Sequence, residues 1–134
     1  MPAIKLGPLG RIGLATGKFQ TQPEKVSAYA QSLPADLGPQ FAQARHLAAT
    51  ACAECHGPSL KGGEPQPDLK APDLSMVGAY DLPAFTRLLR MGVPPSGKKL
   101  TLMEEVAKAD FSHLTDEEIA TLHAYLVERA QRTP

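Results

Sequence analysis

The sequence predicts an all-α fold, and three observations favour this class. Apolar residues recur at helical spacing in segments that begin with cap residues and end at glycine or proline. The turn-rich segment from Gly57 to Gly78 does not alternate apolar and polar residues as a half-buried strand does. The 134 residues are 43% hydrophobic but only 5% aromatic, so they can form one small domain with a modest core.

Residues 1–38 are predicted to form a loop-like N-terminal extension or linker, because proline and glycine interrupt every long periodicity there. One short helix is predicted from about Pro23 to Ser32. Three interpretations stay open: an arm packed over the domain, a linker from an anchor, or the end of a preceding domain. The domain itself is predicted to cover residues 39–134.

The first long helix of that domain is predicted to begin at about Pro39, a residue suited to the first helical position. Gly57 and Pro58 are expected to end it. The run Cys52-Ala53-Glu54-Cys55-His56 therefore lies at the C-terminal end of the helix. Its buried face is predicted to comprise Phe41, Ala44, Leu47, Ala48 and Ala51.

This C-x-x-C-H run contains both cysteines of the chain. Two thiols at that spacing can add to the two vinyl groups of one haem while the following imidazole binds its iron. We therefore predict one haem c, attached covalently through Cys52 and Cys55, with His56 as an iron ligand. A porphyrin would also supply the apolar surface that so small a core lacks.

Two other interpretations of the cysteine pair fit the sequence less well. A structural zinc site needs a second ligand pair, and the C-terminal histidines His113 and His123 are ten residues apart. A thioredoxin-like redox pair should follow a strand, whereas an alanine-rich helical segment precedes Cys52.

The segment 57–78 is rich in turn residues and shows no strand alternation, so we expect a long loop that wraps the cofactor. A helix is predicted next, with Asp81 as its cap, running through Pro83 to Met91 and ending at Gly92. The segment 97–110 is expected to be irregular.

The last helix has the clearest start signal in the chain. Thr115 and Glu118 are spaced as a capping box, and the acidic residues between them suit the positive end of a helix. An apolar stripe then predicts the face that packs on the core: Ile119, Leu122, Tyr125 and Leu126.

The sixth iron ligand is predicted to be Met103. It lies 47 residues beyond His56, in a segment that returns toward the last helix and can reach the opposite face of a porphyrin. Met91 is the alternative, although its helix makes it a candidate for apolar filling. The other candidates are Met76, His113 and His123, of which His123 is predicted to be structural; His46 is predicted to lie on the surface.

The charge balance argues against a nucleic-acid partner, and the hydropathy argues against a membrane span. The chain has 14 basic and 14 acidic residues, which gives no basic stripe for nucleic acid. It has no run of about 18 apolar residues, so no membrane span is predicted. Haem attachment through thioethers is expected outside the reducing cytosol, which predicts a periplasmic or otherwise exported protein whose signal or anchor has been removed.

The order of these elements resembles the class I cytochrome c family from about Gln40 to Arg132. The matching motifs are Cys52, Cys55 and His56; Ala71-Pro72-Asp73-Leu74; Met103; and Leu114 to Glu118 with the stripe after them. The segments Arg90 to Val93 and Leu114 to Leu126 are most similar to cytochrome subunits and domains of periplasmic dehydrogenases.

The resemblance implies a small cytochrome c fold in which helices wrap one haem. It implies that the carbonyl of Pro72 accepts a hydrogen bond from the His56 imidazole. It also implies that the first and last helices cross, with Ala44 or Ala48 facing Leu122 and Tyr125. The family methionine is commonly followed by proline, whereas Glu104 follows Met103, so Met91 stays the alternative ligand.

The predicted function is single-electron transfer rather than enzymatic bond chemistry, with His/Met ligation and redox proteins as donor and acceptor: a dehydrogenase, an oxidase or another cytochrome. Two alternatives stay open. One is a haem sensor or enzyme with an open distal position, and the other is an electron-transfer module of a larger dehydrogenase or oxidase complex.

Overall fold

A computed structural model describes residues 7–17 and 22–132. The contacts divide the chain into two compact units, Met1–Leu33 and Pro34–Pro134. Helices dominate the described residues and one small two-stranded sheet accompanies them, which confirms the predicted all-α class. None of the helices in these ranges is both long enough and apolar enough to cross a membrane.

The first unit contains helices α1 (Pro8–Ala15) and α2 (Gln22–Gln31). The predicted helix from about Pro23 to Ser32 is confirmed by α2. The expectation of loop in the rest of residues 1–38 was wrong at α1, because Pro8 suits the first helical turn and each interior glycine costs only about 1 kcal/mol. The loop predicted at residues 1–6 and 18–21 lies outside the described residues.

The second unit begins with an extended segment that is tied to its helices, upstream of the predicted boundary at residue 39. The Arg45 Nε donates a hydrogen bond to the Pro34 carbonyl at 2.7 Å. The hydroxyl of buried Tyr125 donates to the Ala35 carbonyl, also at 2.7 Å. These bonds attach residues just before 39 to the helical core.

A nearly continuous helical segment follows and confirms the first predicted helix of the domain. It consists of a 3₁₀ turn (Pro39–Phe41), α3 (Ala42–Leu47), a π turn (Ala48–Cys52) and α4 (Ala53–His56). Gly57 ends the segment at φ +78°, a left-handed conformation that glycine adopts without steric cost.

The predicted strand-free loop after Gly57 was wrong in part. Strands β1 (Gly63–Gln66) and β2 (Leu69–Ala71) form an antiparallel hairpin, and Asp68 between them adopts φ +65°. Strands of four and three residues are too short to show an alternating pattern. A 3₁₀ helix (Leu74–Ala79) follows, and Asp73 caps it by accepting a hydrogen bond from the Ser75 N–H.

Helix α5 (Leu82–Met91) is confirmed together with its cap and its end: Asp81 accepts from the Ala84 N–H, and Gly92 is left-handed. The segment 97–110 was wrongly predicted as irregular, because α6 occupies Thr101–Ala109. The residue before α6 is Leu100, which makes no side-chain cap. In the sequence, however, Thr101 and Glu104 have the spacing of a capping box, a start signal that the prediction of an irregular segment overlooked.

Helix α7 (Asp116–Arg132) confirms the predicted capping box, in which the Thr115 Oγ1 accepts from the Glu118 N–H at 3.1 Å and the Glu118 carboxylate accepts from the Thr115 N–H at 2.8 Å. Helix α7 packs on α3, on α5 and on the 3₁₀ helix Leu74–Ala79. The core thus confirms the predicted contact between the first and last helices, and its buried residues include Ala44, Ala48, Leu122 and Tyr125.

Candidate functional site

The C-x-x-C-H run forms the end of the first helical segment, as predicted. Cys52 closes the π turn, while Cys55 and His56 lie on α4. Both thiols are free; Cys52 is buried and Cys55 is half-buried. Residues three apart on a helix are neighbours on its surface, so the two sulfur atoms can serve one ligand.

The His56 ring is oriented by the hydrogen bond that the resemblance implies. Its Nδ1 lies 2.8 Å from the Pro72 carbonyl oxygen. Since a carbonyl can only accept, Nδ1 must carry the proton, which leaves the lone pair on Nε2. Nε2 makes no hydrogen bond to any residue in the described ranges, so it is available to a metal.

Burial also favours the neutral form of this imidazole. It lowers the pKa of His56 below 6.5, and the hydrogen bond to the Pro72 carbonyl only partly opposes this effect. A neutral imidazole with a fixed tautomer is the form that binds a metal ion.

The environment of the Cys52 thiol is unlike that of a redox-active or zinc-binding cysteine. Burial, with a smaller contribution from the nearby Cys55, raises the pKa of Cys52 to about 12. Reactive and zinc-binding cysteines need the opposite shift, because the thiolate is the active form. In the part of the chain that the structure describes, no three His, Cys, Asp or Glu side chains meet as a metal-binding group.

The methionines differ in burial. Met103 lies on α6, where it is half-buried and packs against the hydrophobic core. Met91 is 48% exposed to solvent and Met76 is 44% exposed. Met103 is therefore the member of this group whose side chain contacts the core.

The remaining histidines are either exposed or bonded to other residues. His46 is exposed, as predicted for a surface residue, and His113 is exposed as well. The His123 Nε2 lies 2.8 Å from the Tyr80 carbonyl oxygen, and its ring packs 5.3 Å from that of Phe85. These contacts confirm the structural interpretation of His123.

Arg129 is a residue of this region that sequence reasoning missed. It is 1% exposed, yet its guanidinium bonds the Ser59 carbonyl at 3.0 Å and the Asp73 carboxylate at 3.3 Å. The signal was available, because Arg129 continues the stripe of Leu122, Tyr125 and Leu126 at helical spacing. A charged residue at an inward position predicts a buried polar partner.

The carboxylate of Asp73 is held in its charged form. Burial alone would raise the pKa of Asp73, but hydrogen bonds from Ser75 and from Arg129, together with the guanidinium charge, outweigh burial and hold the pKa below 3.8. The charged carboxylate stabilises the folded chain fully at pH values above the pKa that the group has in the unfolded chain. This stabilisation is lost as the pH falls through the lower pKa of the group in the folded chain.

This carboxylate predicts a loss of stability in acid. Asp73→Asn removes the charge but keeps an oxygen that can accept from Ser75. At about pH 7 we expect the wild-type chain to have the larger free energy of unfolding, and we expect its advantage to shrink below about pH 4. Chemical denaturation at a series of pH values measures the difference. A difference that stays constant down to about pH 2 would contradict the prediction.

Comparison with known families agrees with this geometry. The sequence model of the family described as "Cytochrome c" matches residues 41–130. The matched span contains the C-x-x-C-H run, Pro72, Met103 and most of α7. Neither the curated proteins nor the solved structures yield a match to this chain.

Proposed function

Because the chain belongs to the cytochrome c family, whose function is haem-based electron transfer, we propose that it carries one covalent haem c and passes single electrons between redox proteins. Cys52 and Cys55 form the two thioether bonds, and His56 binds the iron through Nε2. The bound group supplies a reversible one-electron change of its iron, and the protein makes and breaks no substrate bond.

The observation that carries this proposal is the hydrogen bond between the His56 Nδ1 and the Pro72 carbonyl oxygen. It orients the imidazole, assigns its lone pair to Nε2 and increases the basicity of that nitrogen. Two free thiols directly before such a histidine have the donor chemistry of a covalent haem site. Pro72 thus acts on the iron through His56 rather than by direct contact.

Met103 completes the proposed ligand set. Its contact with the core supports this assignment, since a ligand inside the domain must avoid bulk water. Thioether and imidazole ligands together would raise the reduction potential of a bound haem, which suits an electron carrier. Met91 is the alternative and is half-exposed at the end of α5.

The proposed partners are a redox donor and a redox acceptor, such as a dehydrogenase, an oxidase or another cytochrome. The proposed location is the periplasm or another exported compartment, because free thiols are attached to haem outside the reducing cytosol. Residues 39–134 are proposed as the haem domain, with residues 1–38 as an extension or linker to a partner or anchor.

A visible spectrum of the protein, produced with c-type haem maturation, tests this function. We expect low-spin bands in both redox states, no change on adding carbon monoxide, and haem that stays on the chain after denaturation. In the Cys52→Ser, Cys55→Ser double variant the haem should be released by denaturation. A high-spin spectrum that shifts with carbon monoxide would instead support the sensor or enzyme alternative.

A further inference from the structure

Arg129 lies on α7 with its side chain buried, where a charged group loses its hydration. Removing a guanidinium from water is costly unless hydrogen bonds replace those to water. Its bonds reach two separate segments: the Ser59 carbonyl at 3.0 Å on one side, and on the other the Asp73 carboxylate at 3.3 Å and the Ser75 hydroxyl at 3.4 Å. A charge held in this way fixes the positions of its partners.

The two segments adjoin the His56 ring and its acceptor along the chain. Ser59 follows His56 by three residues, and Asp73 directly follows Pro72, whose carbonyl accepts from the ring. A backbone hydrogen bond from the Leu74 N–H to the Leu60 carbonyl, at 3.0 Å, joins the same segments. Arg129 therefore braces the link between the histidine and its acceptor.

Helix α7 supports this brace at close range. A Cβ atom on Gly78 would lie 2.7 Å from the Ala130 Cβ, so the 3₁₀ helix Leu74–Ala79 lies directly on α7 beside Arg129. The guanidinium bonds the Asp73 carboxylate and the Ser75 hydroxyl at the start of this segment, so a shift of the guanidinium would act on the segment through those bonds. Pro72 would move with it, because it is the adjacent residue.

We propose that Arg129 is a positioning residue that holds the Pro72 carbonyl against the His56 ring and so adjusts the reduction potential of the haem. This inference rests on the proposed function. A hydrogen bond from Nδ1 makes the imidazole a stronger donor and favours the ferric state. Weakening that bond is expected to raise the potential.

The test uses Arg129→Lys, which keeps the positive charge but replaces the planar fork by one compact ammonium group. Its donors cannot occupy both the Nη1 position at Asp73 and the Nη2 position at Ser59. The first measurement is solvent exchange of the His56 Nδ1–H, followed by NMR in the ferrous protein. We expect exchange to be up to about tenfold faster, as for the loss of one hydrogen bond. The second measurement is the reduction potential, which should rise by up to about 59 mV for a tenfold change in a one-electron couple.

Arg132→Lys is the matched control. Arg132 lies on the same helix but is exposed, and it pairs with Glu128 one turn away. It should leave both the exchange rate and the potential unchanged. Arg129→Gln is a second variant, which removes both the guanidinium fork and the positive charge. It should also speed the exchange of the His56 Nδ1–H.

The outcomes separate the inference from the proposed function. A wild-type protein without covalent low-spin haem would overturn the function. Wild-type haem of the expected kind, together with unchanged exchange and potential in Arg129→Lys, would overturn the positioning role alone. Loss of folding in both Arg129 variants would assign the residue to global stability and overturn the positioning role as well.

Discussion

Replacing Met103 by alanine is expected to abolish the absorption band that a methionine sulfur gives with ferric iron near the red end of the spectrum. Alanine offers no donor atom, so the sixth position opens to water or to added carbon monoxide. The reduction potential should fall by on the order of 0.1–0.3 V, within the roughly 0.8 V range that axial ligands span. Visible spectroscopy and a redox titration measure both changes.

Met91→Ala and Met76→Ala are the matched controls, because each removes a thioether of the same size from a half-exposed position. Both should keep the band and the wild-type potential. If Met91→Ala abolishes the band while Met103→Ala keeps it, the ligand is Met91. Glu104, which follows Met103 where the family commonly has proline, would then mark a real difference from the family ligand loop.

The parts of the fold that were predictable from the sequence carry their signals locally. The capping box of Thr115 and Glu118, the Asp81 cap and the stop at Gly57 each depend on a few adjacent residues, and each is present in the structure. The C-x-x-C-H run is also a local signal, because its chemistry follows from the residue types and their spacing. Local patterns of this kind need no tertiary information.

The error at helix α6 has a different cause, because the sequence carries local signals for this helix. Thr101 and Glu104 have the spacing of a capping box, and the segment 101–109 consists mostly of strong helix formers. Glu104 and Lys108 also form an ion pair one turn apart. In the structure Leu100 makes no side-chain cap, and the helix packs on α5. The irregular assignment of 97–110 therefore missed a pattern that was present in the sequence.

Arg129 shows where tertiary information is needed within the candidate site. Its partner Asp73 lies 56 residues away along the chain, and the sequence shows no pairing between them. An arginine near the end of a long helix is ordinarily a solvated residue that suits the helix dipole. Only the position of Arg129 on the apolar stripe distinguishes it, and only the fold identifies the segments that it joins.

Replacing Gly92 by alanine is expected to lower the free energy of unfolding by about 2–5 kcal/mol. Gly92 adopts φ +71°, and a Cβ atom there would clash with the Cα of Glu104 on α6. Left-handed backbone costs an alanine about 1–2 kcal/mol, and overpacking adds about 1–3 kcal/mol. Because backbone cannot yield as a flexible side chain does, α6 must move, and Met103 is the residue next to Glu104.

Gly97→Ala is the matched control for this substitution. Gly97 has nearly the same dihedral, φ +68°, but no described atom lies within 4 Å of the Cβ position. It should therefore show the backbone cost alone, about 1–2 kcal/mol, and keep the methionine band. Chemical denaturation and the ferric spectrum of both variants measure the difference. Equal losses of stability with the band kept in both would mean that α6 adjusts without moving Met103, and that the contact at Gly92 does not position this residue.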